Sequence, residues 1–90
     1  MRRAAKRDLS EAVIVMALKQ AGFSVQPVSG KDCPDLVLAK GGIDRWAEVK
    51  TGKAKLKPGQ VEWAAAWRGA KPLVLRGLED VARVIQEWPR

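Results

Sequence analysis

The sequence predicts an α/β fold whose elements run α-β-β-β-α-β-α, and three observations carry that expectation. Apolar residues recur at helical spacing toward both ends, short apolar runs bounded by turn residues fill the middle, and a proline opens a further helical pattern behind a basic loop. At 90 residues, 47% hydrophobic and 30% charged, the chain has an ordinary globular balance and reads as one domain spanning residues 1–90. A chain this short buries only about 60–65% of the surface its unfolded form exposes, so a second copy would help it.

The first helix is expected over Leu9 to Ala21, where Val13, Ile14, Ala17, Leu18 and Ala21 share a helical stripe and Gly22 supplies the stop. Asp8 and Glu11 have capping-box spacing at its start. Phe23 to Val28 reads as a strand, broken by Pro27 and the Ser29-Gly30-Lys31-Asp32 turn. Asp35 to Ala39 is a continuous apolar run suited to a strand covered on both faces. Lys40-Gly41-Gly42 is a hairpin turn, and Ile43 to Thr51 forms the third strand, paired with the second. Gly52 to Lys57 is a basic loop. A helix follows from Pro58, with Gln60, Trp63, Ala64 and Trp67 on one face and Gly69 closing it. Pro72 to Arg76 is the fourth strand. The last helix, Leu78 to Trp88, begins with Glu79 and Asp80 at its positive end and is expected to bury Val81, Val84 and Ile85.

Charge and absences narrow the chemistry. A net charge of +7 points to a polyanionic partner, because Lys and Arg contacts to phosphates provide salt-sensitive attraction to nucleic acid. No apolar run approaches the ~20 residues that span a bilayer. The basic start, Met1 to Arg7, lacks the apolar stretch of a secretory signal, so a cytoplasmic location is expected. Without histidine there is no histidine general base and no Ser-His-Asp triad; without tyrosine there is no phosphotyrosyl intermediate. Cys33 is the only cysteine, which excludes an intrachain disulfide or a cysteine zinc site. Chemistry on phosphate would fall to carboxylates, lysine and a hard metal ion.

Glu48 and Lys50 lie two apart on a strand and point to one face, while Ala47 and Val49 point to the other. Folding the second and third strands about Gly41-Gly42 brings Asp35 and Glu48 close at one end of the sheet. An oxygen-only pair of this kind suits Mg²⁺, which takes one or two carboxylates plus water and substrate phosphate. Lys50 would position the attacking water or stabilise charge developing on phosphorus. Read blandly, Glu48 and Lys50 are a solvated strand face and Asp35 a turn residue after proline. Either fragment alone is common; their placement across one hairpin in a basic chain gives the pair its weight.

Cys33-Pro34-Asp35-Leu36-Val37, Trp46-Ala47-Glu48-Val49-Lys50-Thr51, Lys55-Leu56-Lys57-Pro58-Gly59-Gln60 and Trp67-Arg68-Gly69 together resemble the PD-(D/E)XK nuclease superfamily. Within it they resemble the VRR-NUC branch, in the small stand-alone form of phages and bacteria. The resemblance covers nearly the whole chain. It implies a restriction-endonuclease-like αβββαβ core with a C-terminal helix, and a mixed four-stranded sheet flanked by helices. Asp35, Glu48 and the backbone carbonyl of Val49 would bind Mg²⁺ or Mn²⁺, Lys50 would be the catalytic lysine, and Gln60 the auxiliary glutamine. Glu11 fits the acidic position on the first helix, and fits a helix cap equally well.

Gln60 has a second reading as a boundary residue that caps or packs. Trp46, Trp63 and Trp67 read as core, with base stacking by Trp46 as the alternative. Lys53, Lys55 and Lys57 are placed to hold the DNA backbone, and Gly30 and Lys31 to face substrate phosphates. The resemblance implies a homodimeric endonuclease acting on duplex or branched DNA such as Holliday junctions, in the cytoplasm of a bacterial cell or phage-infected host. A noncatalytic nucleic-acid-binding module on the same fold is the alternative. A sequence-specific restriction-type enzyme is a third reading, for which no recognition insertion is seen.

Overall fold

The computed structural model describes residues Arg2–Pro89, with side chains from Glu11 onward. The elements are α1 (Arg2–Gln20), β1 (Ser24–Pro27), β2 (Leu36–Lys40), β3 (Ile43–Val49), α2 (Pro58–Ala66), β4 (Leu73–Leu75) and α3 (Leu78–Glu87), in the expected order. The four strands lie side by side as β1-β2-β3-β4. The β1-β2 and β2-β3 pairs are antiparallel and β4 runs parallel to β3, so the sheet is mixed. Gly41 and Gly42 both adopt positive φ, 64° and 80°, which is the conformation a two-residue hairpin between β2 and β3 requires.

Register sorts the strand residues onto two faces. Leu36 pairs with Ala47, which pairs with Leu73; Val49 pairs with Leu75. These side chains point toward α1 and α3, where Ile14, Leu18, Phe23, Val81 and Val84 complete the buried core. Trp88 closes the edge of that core, with its ring edge-on to Phe23 and its indole N–H donating to the Lys40 carbonyl at 2.9 Å. The opposite face carries Val37, Trp46 and Glu48, and α2 lies over it through Trp63 and Trp67, whose rings meet Trp46.

The element limits and burial differ from expectation at three places. The α1 helix starts at Arg2, ahead of Asp8, so Asp8 falls within the helix instead of capping it; the Asp8 side chain lies outside the described residues. The α2 helix ends at Ala66, three residues before Gly69. Its terminal carbonyls are taken by the Lys71 ammonium, which donates to Ala64, Ala65 and Trp67 at 2.9, 3.2 and 3.1 Å, so no glycine turn is needed. Ile85 is 37% exposed, not buried. The stripe of α3 that meets the sheet is centred on Val81 and Val84, which leaves Ile85 at its margin.

Candidate active site

Asp35 immediately precedes β2, and its carbonyl accepts from the Val28 N–H at 2.8 Å, extending the β1-β2 ladder by one step. Since Leu36 pairs with Ala47, continuing the register sets Asp35 opposite Glu48 on the α2 face. The Asp35 carboxylate is anchored by the Val49 backbone N–H, which donates to Oδ2 at 2.9 Å across the hairpin. Glu48 is only 4% exposed, which rules out a solvated strand face. Its Oε2 accepts from Gln60 Nε2 at 2.7 Å and lies 3.9 Å from Lys50 Nζ. Lys50 itself keeps only 11% of its side chain exposed, and its backbone N–H donates to the Leu75 carbonyl, carrying the β3-β4 pairing past Val49.

Gln60 both caps α2 and touches Glu48. Its Oε1 accepts from the Lys57 N–H at 2.9 Å, capping the first turn of α2, while its amide reaches Glu48. The cap thereby holds the amide in the orientation that donates to the carboxylate. Pro58 at the first turn supplies the fixed φ that starts the helix there.

Burial pushes the Glu48 carboxyl up to about 7 from 4.5, and the neighbouring Asp35 charge pushes the same way; Lys50 pulls it partly back. A divalent cation between the two carboxylates would offset both the repulsion and the desolvation. The donor set therefore fits a hard, oxygen-seeking ion. Among the described residues no three His, Cys, Asp or Glu side chains converge, so the carboxylates on offer here are a pair, a number Mg²⁺ would accept. Glu11 lies half-buried on α1 and is not gathered into a group of three with that pair.

Lys31, Lys53, Lys55 and Lys57 are all exposed. Two further residues, not marked by any spacing, shape the surroundings. Arg76, one residue beyond β4, donates through Nη1 to the Gly52 and Ala54 carbonyls at 3.0 and 2.6 Å and so ties down the basic loop. The parallel β3-β4 pairing, which sets Leu75 beside Val49, is the signal that would have placed Arg76 next to that loop. Asp32 adopts a positive φ of 65° and lines a small recess with Pro34, Glu48 and Gln60. Its carboxylate lies so close over α2 that a Cβ at Gly59 would overlap it, which explains glycine in that first turn.

No family model matches the sequence, and no curated protein does. A solved structure described as a VRR_NUC domain superposes with a TM-score of 0.79 at 22% identity, covering 93% of this chain and 98% of that one. The two share a fold over nearly their whole lengths.

Proposed function

With the fold of a VRR_NUC domain as the premise, we propose that this chain is a divalent-metal-dependent DNA endonuclease that hydrolyses phosphodiester bonds. The observation that carries the reading is the buried Glu48 carboxylate set against Asp35 and contacted by both Lys50 and Gln60. A carboxylate is kept in such a place, at the cost of a raised pKa, where its charge has work to do. Asp35, Glu48 and the Val49 carbonyl would hold Mg²⁺ or Mn²⁺, with Glu11 as a further candidate ligand. The ion, when bound, supplies Lewis acidity toward a phosphoryl oxygen and lowers the pKa of its water.

The protein's own groups do the rest. Asp35 is anchored through Oδ2 by the Val49 N–H, which fixes the direction of its carboxylate. Gln60 fixes the Glu48 carboxylate, leaving Lys50 to stabilise negative charge on the phosphoryl oxygens as attack proceeds. Lys31, Lys53, Lys55 and Lys57 hold the DNA backbone, so the chain reads shape in preference to sequence. The proposal extends to a single nuclease domain over residues 1–90, acting in the cytoplasm as a homodimer with two symmetric sites on branched DNA such as Holliday junctions. No helix among the described residues is long and apolar enough to cross a membrane.

The test is cleavage of labelled duplex, single strand, flap and four-way junction with Mg²⁺, Mn²⁺ or EDTA, beside Asp35→Ala and Lys50→Ala. Metal-dependent cutting lost in both variants is expected. Binding without cutting in every metal would replace the enzyme with a noncatalytic DNA-binding module. Sedimentation over a range of concentrations tests the dimer.

A further inference from the structure

Four tryptophans in 90 residues is a high proportion, and three of them gather on the active-site face of the sheet. The Trp63 and Trp67 rings stack at 4.8 Å and 11°, and Trp46 meets both edge-on at 5.2 and 5.6 Å. Stacking on Trp63 does not bury Trp67, which remains 38% exposed. Its backbone is fixed as well, because its N–H closes the last turn of α2 and its carbonyl is held by Lys71. A large flat ring is thus held rigid at the surface with part of its area open.

That open area borders a cleft of about 410 Å³ lined by Val37, Asp44, Arg45, Trp46, Trp67 and Gly69. Val37 and Trp46 are cross-strand partners, one same-face step from Asp35 and Glu48, or about 7 Å along the strands. Seven ångströms is about two base rises of stacked DNA. Arg45, whose Nη2 donates to the Lys71 carbonyl at 2.9 Å, also lines the cleft, and the exposed Arg68, next in sequence to Trp67, adds positive charge beside it. An aromatic wall, an apolar floor, an acceptor at Asp44 and a basic rim match one chemical object: a base on a phosphate backbone.

We propose that the Trp46–Trp67 cleft is a nucleobase subsite that takes one unstacked base of the DNA strand, one or two nucleotides from the phosphate held at Asp35 and Glu48. The location of that phosphate rests on the nuclease reading; stacking of the base does not. Bases inside a continuous duplex are unavailable to the cleft, so it selects DNA with unpaired or easily opened nucleotides beside the cut.

The test uses partial duplexes with a single-stranded tail, each carrying one abasic site at a successive position, titrated with the whole chain in EDTA by fluorescence anisotropy. One abasic position should weaken binding roughly five- to 150-fold, the range expected for one base–aromatic stack. Trp67→Leu should weaken binding to intact DNA by a similar factor and flatten the positional profile, while Trp67→Phe retains it. A flat profile in the wild-type protein, which needs no variant to fold, overturns the subsite. So does a Trp67→Leu protein that keeps the positional penalty. The same DNAs are then given Mg²⁺. A sharp binding profile without cutting keeps the subsite and sinks the nuclease, whereas cutting with a flat profile does the reverse.

Discussion

Replacing Glu48 by glutamine separates what the carboxylate does for chemistry from what it does to stability. Folding raises its pKa from 4.5 to about 7, so between those values the folded chain binds more proton than the unfolded one. Stability therefore falls as pH rises through this window, by up to ~3 kcal/mol from the size of the shift. Glutamine preserves the acceptor for Gln60 Nε2 and turns a repulsive neighbour of Asp35 into a donor. In EDTA at pH 8 the Glu48→Gln protein should be the more stable by about 1–3 kcal/mol, a rise in Tm on the order of 10 °C for a domain of this size. At pH 4, where the wild-type carboxyl is protonated, the difference should nearly vanish. Mg²⁺ at a hundred times its Kd should raise wild-type stability by about 2.7 kcal/mol and leave the variant unmoved, and the variant should not cut DNA. Thermal melts at both pH values, with and without Mg²⁺, read all of this. A variant that melts below wild type at pH 8 in EDTA, or by an equal margin at both pH values, refutes the account of Glu48 as a buried, destabilised charge.

Lys50→Ala should leave junction binding within about threefold and lower the single-turnover cleavage rate by roughly 10²–10³, the usual loss of one charge-stabilising group. Arg76→Ala frees the Gly52 and Ala54 carbonyls, so DNA affinity should fall while the melting temperature hardly changes, read by anisotropy and circular dichroism. Lys71→Met leaves the last turn of α2 uncapped and should cost about 1 kcal/mol in urea unfolding, with larger loss of protection at Ala66 and Trp67 in hydrogen exchange. Gly59→Ala should displace Asp32 and cost about 1–3 kcal/mol in the same unfolding assay as an overpacked contact, and Gly69→Ala, whose Cβ would stand 2.8 Å from Trp67 Nε1, should push the Trp67 ring from its stack on Trp63, read as a change in tryptophan fluorescence.

Element order was legible because each element carries a local signal. The helical stripe at Ile14 and Leu18, the Gly41-Gly42 turn and Pro58 act over a few residues and need no distant partner. The hairpin also made the Asp35–Glu48 meeting legible, since strand register follows from turn position. The limits of α1 and α2, the exposure of Ile85 and the roles of Arg76, Asp32 and Trp67 were not legible in that way. Lys71 ends α2 from seven residues past the Ala64 carbonyl, and Arg76 reaches back across more than twenty residues to the basic loop.

What the sequence by itself determined is the period and punctuation of the chain, and through the hairpin the pairing of two carboxylates. What only the tertiary structure decided is how deeply Glu48 is buried, which amide holds it, and which tryptophan is left open to solvent. The physical reason is that spacing is a property of neighbours along the chain, whereas burial and the partner of a charge belong to whatever folds across it, here α2 laid over the sheet.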